Sequence, residues 1–160
     1  MVKKYTFFLT VSGIIAALDQ ATKALVMQHI PQFGSLTVIP DFFSITHVYN
    51  PGGAFGFMAR NDSPLRHWLF LAAALFALCM IFYFYHRTPS ANPFFGLALA
   101  MIFGGAVGNL IDRMRFGEVV DFLDVYLGTF HWPTFNVADS AVTVGVGIFI
   151  YHIVTKKVPI

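Results

Sequence analysis

The sequence predicts an all-α membrane protein with four transmembrane helices and a few short β-strands outside the membrane. Of its 160 residues, 57% are hydrophobic and only 11% are charged, whereas soluble proteins carry roughly 25% charged residues. Four stretches approach the roughly 20 apolar residues that a membrane-spanning helix needs. They cover about 5–27, 68–85, 93–111 and 138–154. A chain of this length is expected to form a single domain, residues 1–160.

The first apolar stretch has two interpretations. A basic start, MVKK, followed by an apolar run is also typical of a cleaved signal peptide. The apolar character resumes after Asp19 and Gln20, in ATKALVM, so the run is longer than a signal peptide requires. This pattern favours a retained first helix.

The distribution of charge predicts the orientation. Basic residues lie before the first stretch, between the second and third, and after the fourth: Lys3, Lys4, Arg87, Lys156 and Lys157. With four helices these positions share one side, which the positive-inside rule assigns to the cytoplasm together with both termini. All eight acidic residues lie between Asp19 and Asp139, in two outer loops or at the outer ends of helices. The loops cover about 31–64 and 112–135.

The first outer loop carries the strand pattern. The stretch TVIPDFFSITHVYN is dense in β-branched and aromatic residues, which predicts short strands near the membrane surface. NPGGAF then predicts a turn, because proline and glycine interrupt a strand.

Several function classes are disfavoured by composition. A net charge of +2 is too small to indicate a nucleic-acid partner. Cys79 is the single cysteine, so it can form neither an internal disulfide nor a cysteine-based metal cluster. The six histidines show no close ligand spacing such as HExxH. Neither a metal nor a cofactor is expected.

Polar residues at the outer ends of the first and third stretches are candidates for a site. Asp19 and Lys23 are spaced i, i+4 and can pair on one helix face. They are either a self-neutralising pair or a means of positioning site residues. The third stretch ends in GGAVGNLIDR, whose GxxxG pattern allows close approach of another helix. Asn109, Asp112 and Arg113 form either a terminal polar cap or, as we favour, a buried network.

Acidic residues near the fourth stretch are the candidates for catalysis. Asp121 is flanked by apolar residues in VVDF, and Asp124 follows three residues later; spacing does not choose between them. In FNVADS, Asn136 and Asp139 can face the same way. Asp139 is a candidate helix N-cap, a role that does not exclude catalysis. Two converging carboxylates would shift each other's pKa and could activate water without a metal.

The motifs together resemble those of the lipoprotein signal peptidases, or signal peptidase II. They occur in that family's order across nearly the whole chain: DQATK at 19–23, YNPGGAF at 49–55, GGAVGNLIDR at 104–113, VVDF at 119–122 and FNVADSA at 135–141.

The resemblance implies a bacterial inner-membrane aspartic endopeptidase with its site at the outer leaflet and with Asp121 and Asp139 as the catalytic pair. Its substrate would be a prolipoprotein carrying diacylglycerol on the lipobox cysteine, cut immediately before that cysteine. Asp112 is the strongest rival for a catalytic role. Further positions match the family's motifs and are expected to line or brace the site: Asp19, Lys23, Asn50, Gly52, Asn109, Asp112, Arg113 and Asn136.

The resemblance also implies features around the site. The strands of the first loop would form a small β cradle, and an amphipathic segment near 56–66 would act as a lid with Phe55, Phe57 and Met58 as its apolar side. Alternatively, those aromatics merely anchor the loop in the membrane interface. The expected partners are the lipidated substrate, membrane lipid and globomycin-type inhibitors, with the enzyme acting as a monomer.

Two competing hypotheses remain from the residues alone. One is a membrane hydrolase that uses Ser140 as nucleophile and Lys23 as base, which requires the two side chains to be in contact. The other is an ion or proton carrier that uses intramembrane carboxylates. Acids confined to the outer ends of the helices argue against a path through the membrane.

Overall fold

Long apolar helices form the body of the molecule. The computed structural model describes residues 2–52, 64–88 and 92–155. Four of its helices are long and apolar enough to cross a membrane, which confirms the predicted fold class. They are α1 (Val2–His29), α2 (Pro64–Arg87), α3 (Pro93–Phe116) and α4 (Val137–Val154).

Helix α3 is the centre of the bundle and packs against α1, α2 and α4. Its glycines allow the close approach. A Cβ on Gly104 would lie 2.7 Å from the Ser12 carbonyl oxygen of α1, and one on Gly108 would lie 2.6 Å from the Asp19 carboxylate. Gly105 faces the other way and contacts Ala138 of α4. The two glycines of the GxxxG pattern therefore pack against α1, and Gly105, which lies between them, packs against α4.

A four-stranded antiparallel sheet lies at one end of the bundle, called here the sheet end. The strands run in the order β1 (Ser35–Ile39), β2 (Phe43–Asn50), β3 (Val119–Leu127) and β4 (Phe130–His131). The register pairs Asn50 with Val119 and Phe43 with Val125. Strand β3 leaves α3 almost directly, so the inner end of the sheet lies against the helix ends.

The prediction of a second outer loop at 112–135 is wrong in part. Helix α3 continues past the predicted end at residue 111 because Asp112 is only 1% exposed and has buried partners. The helix ends at Gly117, whose φ of 78° is the left-handed conformation that glycine adopts readily. Most of the remaining loop is β3 and β4. The other three helices extend one to four residues beyond one or both predicted ends.

The opposite end of the bundle is closed by aromatic packing and one lysine. Phe8, Tyr85 and Phe95 are buried together there. The Lys4 ammonium donates to the carbonyl oxygens of His86 and Thr88, at the end of α2. A cation at a helix C-terminus is stabilising, so this contact fixes the start of α1 against the end of α2.

Candidate active site

The start of α4 is organised by a reciprocal hydrogen-bonded cap. Asn136 is the N-cap, and its side-chain oxygen accepts from the backbone N–H of Asp139 at 2.9 Å. The Asp139 carboxylate accepts in return from the Asn136 N–H at 3.3 Å. The expectation of Asp139 as the N-cap is therefore wrong: Asp139 is the third residue of the helix, in a capping box.

Asp121 lies on β3 and is only 1% exposed. Its two oxygens accept from side-chain amides, from Asn136 at 2.7 Å and from Asn50 at 2.9 Å. The Asn50 side-chain oxygen accepts from the Gly52 N–H at 3.0 Å, so its amide is turned towards the carboxylate. Two neighbouring strands and the start of α4 therefore hold Asp121 in one orientation.

Burial raises the pKa of the Asp121 carboxyl from 3.8 to about 7. The negative charge of Asp139 acts in the same direction, whereas the amides of Asn50 and Asn136 and the charge of Lys23 lower the pKa. Desolvation is the largest of these effects. At neutral pH this carboxyl can therefore exchange a proton readily.

Asp139 lies in the first turn of α4, where exposed backbone N–H groups stabilise negative charge. Its Oδ1 accepts from the Asn109 amide at 2.8 Å. Asn136 thus contacts both acids, Asp121 through its amide and Asp139 through its backbone and side-chain oxygen. The two carboxylates are held by three asparagines, from β2, α3 and the N-cap of α4.

A buried ionic cluster lies between the helices beside these asparagines. Lys23 contacts Asp19 at 2.8 Å and Asp112 at 2.7 Å, and the three side chains are at most 1% exposed. Gln20 donates to the second oxygen of Asp112 at 2.8 Å. The predicted i, i+4 pair of Asp19 and Lys23 is therefore present, and it is part of a larger network rather than a self-contained pair.

Each member of this cluster contacts an element that carries the site. Lys23 donates to the Asn109 side-chain oxygen at 3.0 Å, which leaves the amide nitrogen of Asn109 to face Asp139. Asp112 accepts from the backbone N–H of Val120, the residue before Asp121, at 3.1 Å. Asp19 accepts from the N–H of Ala138 at 2.9 Å. The cluster therefore joins α1, α3, β3 and α4 at one point.

Both carboxylates face one cavity of about 520 Å³. Arg113 is the only cationic residue among its lining residues in the described part of the chain. The guanidinium lies 5.3 Å from the centre of the Phe70 ring and donates to the Gly52 carbonyl oxygen at 3.4 Å. The other lining residues are Asn50, Asn109, Val119, the segment 132–135, Ser140 and the segment 142–144.

The structure brings most of the predicted site residues together. Asn50, Asn109, Arg113, Asp121 and Asp139 line the cavity. The others support them from behind: Gly52 orients Asn50, Asn136 holds both carboxylates, and Asp19, Lys23 and Asp112 form the ionic cluster. The predicted lid residues Phe55, Phe57 and Met58 lie outside the described residues, and positions 64–66 of that segment belong to α2.

Sequence reasoning missed the apolar wall of the cavity. It is formed by Trp132, Pro133, Thr134 and Phe135 and by Val142, Thr143 and Val144 of α4. Apolar residues in a membrane helix carry no local mark that distinguishes a cavity wall from a lipid contact. The one signal in the sequence is WPT, residues 132–134, because tryptophan and proline lie directly before the motif FNVADS.

The alternative candidates lie elsewhere or are already engaged. Asp124 pairs with His131 at 2.9 Å and does not line the cavity. Ser140 Oγ donates to the Asn136 carbonyl oxygen at 2.9 Å, whereas Lys23 donates to acceptors on Asp19, Asp112 and Asn109. These three acceptors account for all three protons of the Lys23 ammonium, so it has no free lone pair directed at Ser140. This arrangement argues against Lys23 as the base for a serine nucleophile. Within the described residues no group of His, Cys, Asp and Glu could hold a metal.

Comparison with known proteins agrees across nearly the whole chain. Residues 11–155 match the family model described as signal peptidase (SPase) II. The lipoprotein signal peptidase of Desulforapulum autotrophicum is 54% identical over 149 residues, covering 93% of this chain and 92% of that one. That of Syntrophus aciditrophicus is 41% identical and covers 98% of both.

A solved structure described as a bacterial membrane enzyme superposes with a TM-score of 0.84 at 32% identity, covering 95% of this chain and 90% of that one. The sequence and fold similarities extend over the same residues that build the cavity. The chain therefore belongs to the signal peptidase II family of membrane proteases.

Proposed function

We propose that this protein is an aspartic endopeptidase that removes the signal peptide from diacylglyceryl-modified prolipoproteins by cutting immediately before the lipidated cysteine. Asp121 and Asp139 are the catalytic pair. The observation that carries the proposal is a single cavity that both carboxylates line, each held by asparagine amides. Membership of the family supports cleavage of lipoprotein signal peptides.

The two acids take different roles because their surroundings differ. Asp139, in the first turn of α4, is the ionised base that removes a proton from a water molecule. Asp121, with its pKa near 7, carries the proton that passes to the scissile carbonyl oxygen. Water adds to the carbonyl carbon to give a tetrahedral intermediate. Transfer of a proton to the amide nitrogen then breaks the C–N bond, and no covalent enzyme intermediate forms.

The walls of the cavity fit a lipid-modified substrate. Trp132, Phe135, Val142 and Val144 provide apolar surface beside the carboxylates. Val144 is also 51% exposed on the surface of a membrane-crossing helix, so the cavity borders the lipid phase. A diacylglyceryl group could remain in lipid while the peptide bond before its cysteine lies at the acids. Globomycin-type inhibitors would occupy the same cavity, and the enzyme would work as a monomer.

The location follows from the same features. Four membrane-crossing helices and the family indicate a multi-pass protein of the bacterial inner membrane. The site lies at the sheet end of the bundle. We place that end at the outer leaflet, with both termini in the cytoplasm, because Lys3, Lys4 and Arg87 lie at the opposite end.

The pH dependence tests the role of Asp121. The pKa of its carboxyl is raised, so the group is protonated below about pH 7 and ionised above it. If Asp121 acts as the acid, kcat/KM should fall about tenfold per pH unit above that value. Asn50→Ala removes a hydrogen bond that lowers this pKa, so the fall should move to higher pH even though the maximal rate drops. A profile that keeps rising above pH 8 would contradict the assignment.

Ser140→Ala tests the serine alternative. This variant removes the hydroxyl that donates to the Asn136 carbonyl oxygen, and we expect cleavage to remain within a few-fold of the unmodified enzyme. The measurement is the mass of both products from a lipidated precursor peptide, which also identifies the bond that is cut. Loss of cleavage by about 10³-fold or more would instead support a serine nucleophile.

A further inference from the structure

Gln20 contacts both acidic members of the ionic cluster. It follows Asp19 on α1 and is half-buried. Its amide nitrogen donates to Asp112 Oδ1 at 2.8 Å and to the Gly108 carbonyl oxygen at 3.1 Å, and it lies 3.3 Å from Asp19 Oδ2. Its amide oxygen accepts from an Arg115 guanidinium N–H at 3.4 Å. Gln20 therefore joins the buried carboxylates to an exposed arginine near the end of α3.

Only one orientation of the Gln20 amide satisfies these partners. A carboxylate only accepts hydrogen bonds and a guanidinium only donates them, whereas an amide accepts at its oxygen and donates at its nitrogen. The nitrogen must therefore face Asp112, and the oxygen must face Arg115. A reversed amide would place its oxygen against a carboxylate oxygen and its NH2 group against a cation. The two charged neighbours thus fix the amide, which directs a donor at Asp112.

Gln20 binds one oxygen of Asp112 and leaves the other for partners closer to the candidate catalytic strand. Oδ1 accepts from the Gln20 amide. Oδ2 contacts the Lys23 ammonium at 2.7 Å and accepts from the backbone N–H of Val120 at 3.1 Å. A carboxylate that is bonded through both oxygens cannot rotate without breaking a contact. Gln20 therefore helps to hold in place the oxygen that binds β3.

The Val120 N–H is the point at which this arrangement reaches the candidate catalytic strand. Val120 is fully buried and directly precedes Asp121 in β3. Rotation of the Asp112 carboxylate would leave this N–H without its acceptor, and a buried backbone donor without a partner is costly. The start of β3 would then shift. Small displacements of a reacting group are enough to slow catalysis strongly.

The charges of the cluster give Arg115 a further effect. When both are ionised, Asp19 and Asp112 carry two negative charges and Lys23 carries one positive charge, so one negative charge is left over among side chains that are at most 1% exposed. A buried charge without a counter-charge is unfavourable. Arg115 provides a positive charge at the edge of the cluster, next to the Gln20 amide. Because Arg115 is exposed, water screens this effect and keeps it small.

We propose that Gln20 is a positioning residue for the cleavage reaction: its amide, oriented by Arg115, holds the Asp112 carboxylate that fixes the start of β3 and thereby Asp121. Gln20 is not among the residues that line the cavity, so it acts through Asp112 and not on the substrate. The inference rests on the proposed function, because the reaction it serves is cleavage by the two aspartates.

Gln20→Glu tests the contact directly because it makes the hydrogen bond to Asp112 depend on pH. A protonated glutamic acid has nearly the shape of glutamine and can donate its O–H to Asp112 while its carbonyl oxygen accepts from Arg115. An ionised glutamate has no donor and repels Asp112. The cleavage rate of Gln20→Glu, divided by that of the unmodified enzyme at the same pH, should therefore rise severalfold between about pH 8 and about pH 5.

Gln28→Glu is the matched control for this pH series. Gln28 is an exposed glutamine on the same helix, two turns further along. The substitution adds the same titrating group at a distance from Asp112. Its rate relative to the unmodified enzyme should stay constant across the pH range.

Gln20→Leu removes both ends of the amide and should lower kcat by about tenfold to a hundredfold, with KM changed by less than about threefold because the lining residues remain. Hydrogen exchange provides a readout that does not use cleavage: the Val120 amide should exchange severalfold faster in Gln20→Leu than in Gln28→Leu. Arg115→Met should lower kcat by about two- to fivefold. Added to Gln20→Leu, it should have no further effect, because it acts through the same amide.

Two outcomes would overturn the proposal. One is a rate of Gln20→Glu that keeps a constant ratio to the unmodified enzyme at every pH. The other is a Gln20→Leu variant with unchanged kcat and unchanged exchange at Val120. Failure of the proposed function is distinct, since the unmodified protein would then leave the lipidated precursor uncut or Asp121→Asn would cleave it normally. If Gln20→Leu does not fold, Gln20→Glu and Arg115→Met still decide the question.

Discussion

Asp121→Asn and Asp139→Asn should each reduce cleavage of a lipidated precursor by about 10⁴-fold, the size expected when one member of an acid–base pair is lost. Asparagine preserves the shape of each side chain but cannot exchange the proton. The double variant should be little worse than either single variant, because the two groups act as one unit. Product formation in nanodiscs, followed by mass, provides the measurement.

Asp124→Asn is the matched control. It lies on the same strand as Asp121, three residues later, it pairs with His131, and it does not line the cavity. Its rate should therefore stay within a few-fold of the unmodified enzyme. All three variants should insert and elute as the unmodified protein does. Near-normal turnover by either Asp121→Asn or Asp139→Asn would rule out the aspartic mechanism.

Lys23→Met should destabilise the protein by about 3–5 kcal/mol, the range for breaking a buried ion pair from one side. The substitution removes the cation between Asp19 and Asp112, whose carboxylates are at most 1% exposed. It also removes the donor that orients the Asn109 amide towards Asp139. We therefore expect a lower thermal midpoint and a fall in kcat that exceeds the change in KM.

Lys3→Met is the control on the same helix, since Lys3 is exposed and the loss of an exposed charge has little effect on stability. Adding Asp19→Asn to Lys23→Met should recover part of the lost stability, because one buried charge fewer is left without a partner. If Lys23→Met and Lys3→Met had equal thermal midpoints, the cluster would not hold the bundle together.

The helices and the ion pair could be predicted from the sequence because their causes are local. A membrane-spanning segment must be continuously apolar, and the spacing of Asp19 and Lys23 places both on one face of a helix. The network around them could not be predicted in the same way. Asp19 contacts the N–H of Ala138, which lies 119 residues away in the chain. Such a contact depends on how α1, α3 and α4 pack.

The spacing of residues in the sequence also could not decide between Asp121 and Asp124 as the candidate catalytic acid. Both lie in VVDFLDVY, within the segment 112–135 that the sequence predicts as an outer loop, and they are only three residues apart. Burial separates the two acids, and burial follows from pairing with β2 and from the cap of α4. The resemblance to the family favours Asp121 over Asp124, because Asp121 occupies the acid position of the family motif VVDF.

The N-cap of α4 has a consequence for the timing of activity. Asn136 starts the helix and also contacts both carboxylates, so the first turn of α4 and the arrangement of the acids form together. With the proposed catalytic pair, a chain whose fourth helix has not yet inserted has two separate aspartates and no assembled site. Hydrolytic activity would first arise within the bilayer, beside the substrates it is meant to cut, rather than on a nascent chain in the cytoplasm.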